Sequence, residues 1–441
     1  MMNVYLTNLW NKVTTSFWLL PAAMTVAAVF LSFITLSLDN SLDSTSFTAY
    51  SIWQGGAEGA RELLSTIAGS IITITGVVFS ITTVALTLTS NQYGSSLLPS
   101  FMRDLGTKIV LGTFISTSIY ALLILRTIKG ESSSEAFQAF TPNLSITISL
   151  GLAILSLSML IYFIHHLSVR IQSTDIIAKV SNDLMTMIES SMESLNWSIK
   201  SSSFSPSKAC TKVFSSQMGY LQAIDYKKLL ELAEKNQFII NIDIRAGQFI
   251  RKEMPLAKIF AAHLSEKQAA SISNAFIIGK ERSPTQDIEY GIDQLVTIAL
   301  RSLSLSKNDP FTANLCIDHL GAALCLICQK NLNLKHDNEN SYVRLISKQS
   351  TFKGLIDASF NQIRQYGSSN PSILIHLLET LSSILNCSKT SDQRTALKKH
   401  ALMIKDLGNQ FIEEDKLDLV DRFNQFNLKF ENLLHQSDND S

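Results

Sequence analysis

Four long stretches with hardly a charge among them dominate the first 170 residues, and they constrain this chain more than any motif does. Phe17 to Leu38 holds no Asp, Glu, Lys or Arg, and neither does Leu63 to Met102. Crossing a bilayer takes about 20 apolar residues in a helix, and lipid offers irregular backbone no hydrogen-bond partner. The sequence therefore predicts four transmembrane helices, at about 17–38, 63–90, 109–125 and 144–165. The first is long for the apolar core of a signal peptide and no small-residue cleavage pattern follows it, so it reads as an uncleaved anchor. The third is short for the hydrocarbon core, and Lys108 and Arg126 at its ends are expected to snorkel to the interfaces.

Charge is distributed to match. Of 37 basic and 37 acidic residues, 14 lie in positions 1–170 and 60 in the remaining 271. That pattern excludes a single water-soluble globule and a disordered tail protein, and leaves a membrane domain followed by a soluble one. A formal net charge of zero gives no electrostatic reason to expect a nucleic acid partner. The five cysteines are odd in number and all lie in the second part, as reduced thiols of a cytosolic domain would. Four spans put both termini on one side. The basic residues near the spans favour a cytosolic placement of that side only slightly, and the free thiols add to it.

The fold class expected is thus a membrane α-helical bundle of four transmembrane helices followed by a mostly helical α/β (α+β) cytosolic domain. Residues 1–170 form the transmembrane domain. Residues 171–207 carry a helical extension and a Ser-rich linker, SIKSSSFSPS at 198–207. Residues 208–265 form a small α/β segment: GYLQAI at 219–224 reads as a strand, Asp225 caps a helix through Ala233, Phe238 to Ile244 reads as a half-buried strand, and Pro255 opens another. Residues 266–441 are mostly helical, with apolar faces such as Ile288, Ile292, Leu295, Ala299 and then Ile317, Leu320, Leu324.

Four passages, LLSTIAGSIITITGVVFSITTVALTLTSNQY (63–93), LLPSFMRDLGTKIVL (97–111), GYLQAID (219–225) and YGIDQLVTIALRSLSLSKNDPFTANLCIDHL (290–320), resemble the bacterial predicted membrane proteins grouped as domain of unknown function 2254. The resemblance implies an N-terminal multi-span domain in the bacterial inner membrane and a cytosolic C-terminal domain. It implies no activity. The chain departs from the family where Asp293 replaces a usual Arg, and where Ser304 and Leu305 replace Ser-Pro. Separately, 238–260 resembles half of the β-hammerhead of lipoyl- and biotinyl-type domains, without a carrier lysine flanked in their way.

Within the second span, Thr66, Ser70, Thr73, Gly76, Ser80, Thr83 and Thr87 recur every three or four positions and share one helix face. Two readings fit: close helix packing through small residues, with hydroxyls bonding backbone carbonyls, or one wall of a water-filled path whose selectivity hydroxyls and width would set. No ionisable residue lies on that face, which speaks against a proton relay or a voltage sensor. In the second part, Arg282, Asp287, Gln294, Arg301, Asn308, Asp309, Asp318 and His319 are expected to form a polar network between helices, structural or ligand-binding, with Asp309 and Pro310 starting a helix.

Enzyme signatures fail. Cys325 and Cys328 lack the second pair of a zinc site, His165 and His166 diverge on a helix, and Gly279-Lys280-Glu281 lacks the rest of a phosphate loop. Neither a metal nor another cofactor is expected. The expectation is a membrane protein, not an enzyme, whose partners are the bilayer, further copies of itself and an unidentified small effector or protein. It is either a homo-oligomeric, channel-like or transport-related protein, or a non-conducting sensor or scaffold anchored in the membrane.

Overall fold

The computed structural model describes residues 17–41, 56–94, 102, 104–129, 140–170, 173–194, 210–261, 263–330, 345–347 and 350–439. The linker expected at 198–207, and Arg103, lie outside them. The chain divides into two compact units, Met1–Gln172 and Ser173–Ser441.

The first unit holds α1 (Leu19–Ser41), α2 (Ala57–Tyr93), α3 (Leu105–Leu125) and α4 (Asn143–Arg170). α3 is central: α1, α2 and α4 all pack on it, and it is more than half buried while the others turn most of their surface outward. Its small residues allow this close approach; at Gly112 a side chain would collide with Met24 of α1. Large side chains fill the interior, with Leu64, Phe114, Tyr120, Ile124, Ile146 and Phe163 each at most 1% exposed.

α3 starts four residues before the expected Ile109. Asp104 caps it, its carboxylate accepting from the Thr107 N–H (3.0 Å) and hydroxyl (2.8 Å). The extra turn draws Lys108 into the helix at 3% exposure, so it does not reach outward as a snorkelling residue would.

Polar contacts join the helices. The Asp39 carboxylate at the end of α1 accepts from the backbone N–H of Leu144 (2.9 Å) and of Ser145 (3.0 Å), and from the Ser145 hydroxyl (2.6 Å). An anion thus sits where α4 presents its unpaired N–H groups. One turn inward, the fully buried Tyr120 hydroxyl donates to the Ser145 carbonyl (3.3 Å) and lies 3.0 Å from the Thr35 hydroxyl.

In the second unit two sheets face each other. One has the order β1 (Cys210–Phe214), β5 (Pro255–Phe260), β3 (Ile239–Ile242), β7 (Leu345–Ser347), and the other β4 (Phe249–Ile250), β2 (Gly219–Ile224), β6 (Phe276–Gly279). All pairs are antiparallel except β3 with β7. Leu221, Ile224, Ile240, Ile242, Leu256 and Ile259 from the two sheets join in one apolar core. Asp225 caps α6 (Tyr226–Lys235), accepting from the Lys228 N–H at 3.1 Å, and α7 (Glu266–Ser273) follows β5.

The helical layer comprises α5 (Ser173–Ser194), α8 (Ile288–Ser302), α9 (Pro310–Lys330), α10 (Phe352–Tyr366), α11 (Pro371–Cys387), α12 (Ser391–Leu407) and α13 (Glu413–Asn439). α9 adds one helix of span-like length and composition to the expected four. Among the described residues five helices, not four, are long and apolar enough to span a bilayer, and α9 is the fifth. Its composition has a local cause: α5, α8 and α11 surround it, and Ala313, Cys316, Ile317, Leu320, Leu324 and Ile327 are fully buried. A helix enclosed on most sides must be apolar on most sides, whether protein or lipid encloses it.

Asp39→Ala leaves two N–H groups of α4 unsatisfied. It should lower the thermal stability of the detergent-solubilised protein by about 1–2 kcal/mol, with Asp39→Asn costing less; unfolding followed by size-exclusion fluorescence checks this. The second unit should carry a pH dependence of its own. His400 of α12 is 1% exposed and bonds Asp357 of α10 at 2.9 Å. Burial lowers its pKa, against the raising effect of Asp357. The unfolded chain then takes up a proton near pH 6.5 that the folded chain refuses, so stability is full above that pH and declines as pH falls. The loss of melting temperature between pH 7.5 and 5.5 should be smaller in His400→Gln than in the parent.

Candidate functional site

The structure gathers Thr66, Ser70, Thr73, Gly76, Ser80, Thr83 and Thr87 on one face of α2, and all seven are exposed. The buried face is set half a turn away, through Ala60, Leu64, Ile67, Ile71, Val78 and Thr82. No described helix of the same chain covers the hydroxyl face, and around the place of a Gly76 side chain there is open space. Three hydroxyls bond back to their own helix: Thr73 to the Gly69 carbonyl (2.9 Å), Thr83 to Phe79 (3.0 Å) and Thr87 to Thr83 (2.9 Å). Such bonds make a hydroxyl tolerable at a lipid-facing or helix-facing surface alike.

A second polar seam, not expected from the sequence, runs inside the unit. Thr35, Thr117, Tyr120, Ser145, Ser149 and Ser156 are buried between α1, α3 and α4. The Ser156 hydroxyl donates to that of Thr117 at 3.1 Å, while the Ser149 hydroxyl has no hydrogen-bond partner among the described residues. The signal was present: Ser145, Ser149 and Ser156 are four and seven residues apart, the spacing of one helix face. The end of the unit opposite Asp39 carries Asp104, whose carboxylate meets His166 Nε2 at 2.8 Å, with the His166 ring stacked on Tyr162 at 5.2 Å. His165, the neighbour in sequence, is exposed.

In the second unit the expected network divides. Arg282 donates to both carboxylate oxygens of Asp287, Nε to Oδ2 at 2.7 Å and Nη2 to Oδ1 at 3.0 Å, and through Nη1 to Asp293 at 2.6 Å. Burial opposes the guanidinium charge, but the two carboxylates outweigh it and hold its pKa above the ordinary value. Asp287 is 4% exposed, caps α8 at Tyr290 N (3.1 Å) and rests against Gly247. The backbone there is left-handed (φ 86°) and a side chain would strike the carboxylate, so only glycine fits. Asp293 was not among the members expected of this network.

Asp309 and Asp318 make their contacts elsewhere. Asp309 caps α9, accepting from Thr312 N (3.1 Å) and its hydroxyl (2.6 Å), with Asn308 before it in a left-handed conformation (φ 46°). Asp318 pairs with His376 of α11 at 2.7 Å. Gln294 is buried in α8, Arg301 lies in the last turn of that helix, and His319 is half-buried in α9. Burial pushes the Cys325 and Cys328 thiols up to about 12, so both stay protonated at neutral pH and are poor nucleophiles. Among the described residues no three His, Cys, Asp or Glu side chains converge to hold a metal ion.

A family model described as predicted membrane protein (DUF2254) matches residues 14–383, through both units. The chain belongs to that family. Similar relatives include uncharacterised proteins of Mycobacterium bovis and Mycobacterium tuberculosis, each 29% identical over 379 residues, covering 84% of this chain and 72% of theirs. No solved structure matches. For this DUF2254 protein, then, a membrane location rests on family and on apolar helices together, and its chemistry has to be read from the geometry alone.

Breaking the clamp on Asp287 gives the clearest test of the second unit. Arg282→Ala strands a buried carboxylate and should cost about 3–5 kcal/mol of folding stability. Arg282→Lys, which keeps charge but loses the fork, should fall between. Denaturant unfolding of the purified protein measures both.

Proposed function

We propose that this DUF2254 protein is a multi-pass protein of the bacterial inner membrane that spans it four times, through α1 to α4, with both termini and the second unit in the cytosol. We propose further that copies associate through the hydroxyl face of α2 into a channel-like or transport-related assembly, which the second unit regulates. The observation that carries this reading is the outward placement of all seven residues of the stripe. Among the described residues of one chain nothing covers them, so the face is available to other copies, and small residues with short polar side chains are what helix interfaces in lipid use. The interior of one unit is filled by Phe114, Tyr120 and Phe163. A path therefore has to run between copies rather than through one, which calls for a closed ring of subunits.

One observation favours the rival reading, a non-conducting anchor whose second unit binds a protein or small effector. Thr73, Thr83 and Thr87 already spend their hydroxyl protons on their own backbone, so α2 can face lipid without penalty.

Single cysteines at Thr73, Gly76 and Ser80, in a protein freed of native cysteines and reconstituted in vesicles, separate the two. Labelling by a membrane-impermeant thiol reagent, with ion or osmolyte flux through the parent protein, is the outcome expected of a path. Unreactive positions together with tight vesicles would leave the anchor. Disulfide-linked dimers at Gly76 without flux would keep the association and remove the conduction.

A further inference from the structure

At one end of the two-sheet core, the turn from β1 to β2 lies beside the turn from β4 to β5. The Ser215 N–H donates to the Met254 carbonyl and the Glu253 N–H to the Ser215 carbonyl, both at 2.9 Å. These turns leave large apolar side chains in the open: Met218 is 70% exposed, Phe214 50% and Phe249 46%. Phe249 packs edge-on against Tyr220, with ring centroids 5.1 Å apart, which stiffens it in place. Single exposed apolar residues are ordinary on a soluble surface, but here Met218 lies in the first turn, Phe214 ends the strand that enters it and Phe249 stands in the strand that enters the second, so three gather at one end.

Cations surround it. Lys212, Arg251 and Lys252 are all exposed, and none has an ion-pair partner among the described residues. The tight turn that carries two of them is closed by the Met254 N–H on the Arg251 carbonyl at 3.1 Å, with Glu253 in the left-handed region (φ 61°). Glu253 is the single acid of that turn. Because β4 and β5 belong to different sheets, Lys252 stands on a link between sheets and not at the tip of a paired hairpin.

We infer that this tip is a docking surface for an anionic phospholipid bilayer, with Phe214, Met218 and Phe249 entering the headgroup region and the three cations meeting lipid phosphates. Exposed aromatic and Met side chains ringed by Lys and Arg are the composition that interfacial binding uses, apolar area and charge attraction adding together. The partner is at hand, since the same polypeptide carries membrane helices and tethering raises the local concentration of lipid surface. Another exposed apolar residue of this unit, Ile412 (70% exposed), is followed by Glu413, Glu414 and Asp415 and should be repelled by the same surface.

The test uses the full-length protein with a photoreactive benzophenone amino acid in place of Met218, reconstituted in vesicles of phosphatidylcholine alone or equimolar with phosphatidylglycerol. Mass spectrometry after illumination should find lipid adducts in the anionic vesicles, reduced on the order of tenfold by the R251E/K252E double substitution. The same probe at Ile412 should find none. Adducts to a second copy of the chain, equal yields in both vesicle types, or no lipid adduct at Met218 would each overturn the inference. If the Met218 probe disturbs folding, judged by size exclusion, Phe249 takes its place with the same outcomes. None of these results depends on whether the protein conducts.

Discussion

The first unit depends on how α3 is held among three other helices when hydrophobicity alone gives it no reason to stay. Lipid chains are as apolar as leucine, so helices in a bilayer gain from packing and polar contacts rather than from leaving water. The chain Asp39–Ser145–Tyr120–Thr35 answers that need, tying α1, α3 and α4 together over hydrogen bonds of 2.6 to 3.3 Å. Each group in it would be costly in lipid without its partner. The contacts therefore select one arrangement of the helices, and the close approach at Gly112 becomes possible once that arrangement is fixed. α2 contributes no hydroxyl to this chain. It packs on α3 through apolar residues and leaves its own polar face outside.

That division explains what could and could not be read in the sequence. Spans were legible because length and apolarity act residue by residue, and capping residues such as Asp225 and Asp309 because a cap needs only local geometry. The direction of a helix face was not. The α2 stripe and the Ser145–Ser149–Ser156 row have the same periodicity, yet one points out and the other in. Periodicity reports that residues share a face and is silent about what that face meets. The α9 helix shows the same limit from the other side: its apolar run is indistinguishable by composition from a span, and the neighbours that enclose it come from distant parts of the chain.

In the second unit, part of the expected polar network is brought together around Arg282. Arg282 does sit against Asp287, but the third member is Asp293, one helical turn and a half from the cap. A carboxylate there adds to the field that holds Arg282 charged against the cost of burial, whereas a second guanidinium would oppose it. The sandwich side of that cluster is fixed by Gly247, where a left-handed backbone brings the strand connection up to Asp287.

Burial inside one unit also bears on what assembles outside it. A second unit that wrapped its apolar residues completely would not leave Met218 and Phe249 open beside exposed cations, and a first unit that used every small residue for internal packing would have no polar face left on α2. Both units keep one such surface. The surfaces differ in character: the α2 face is uncharged and hydroxyl-rich, suited to a neighbour within the hydrocarbon layer, and the sandwich tip is cationic and aromatic, suited to the headgroup layer. Each matches a dielectric in which it costs least, and neither could replace the other, because a lysine on α2 would be expelled from lipid and threonines at the tip would gain nothing from phosphates.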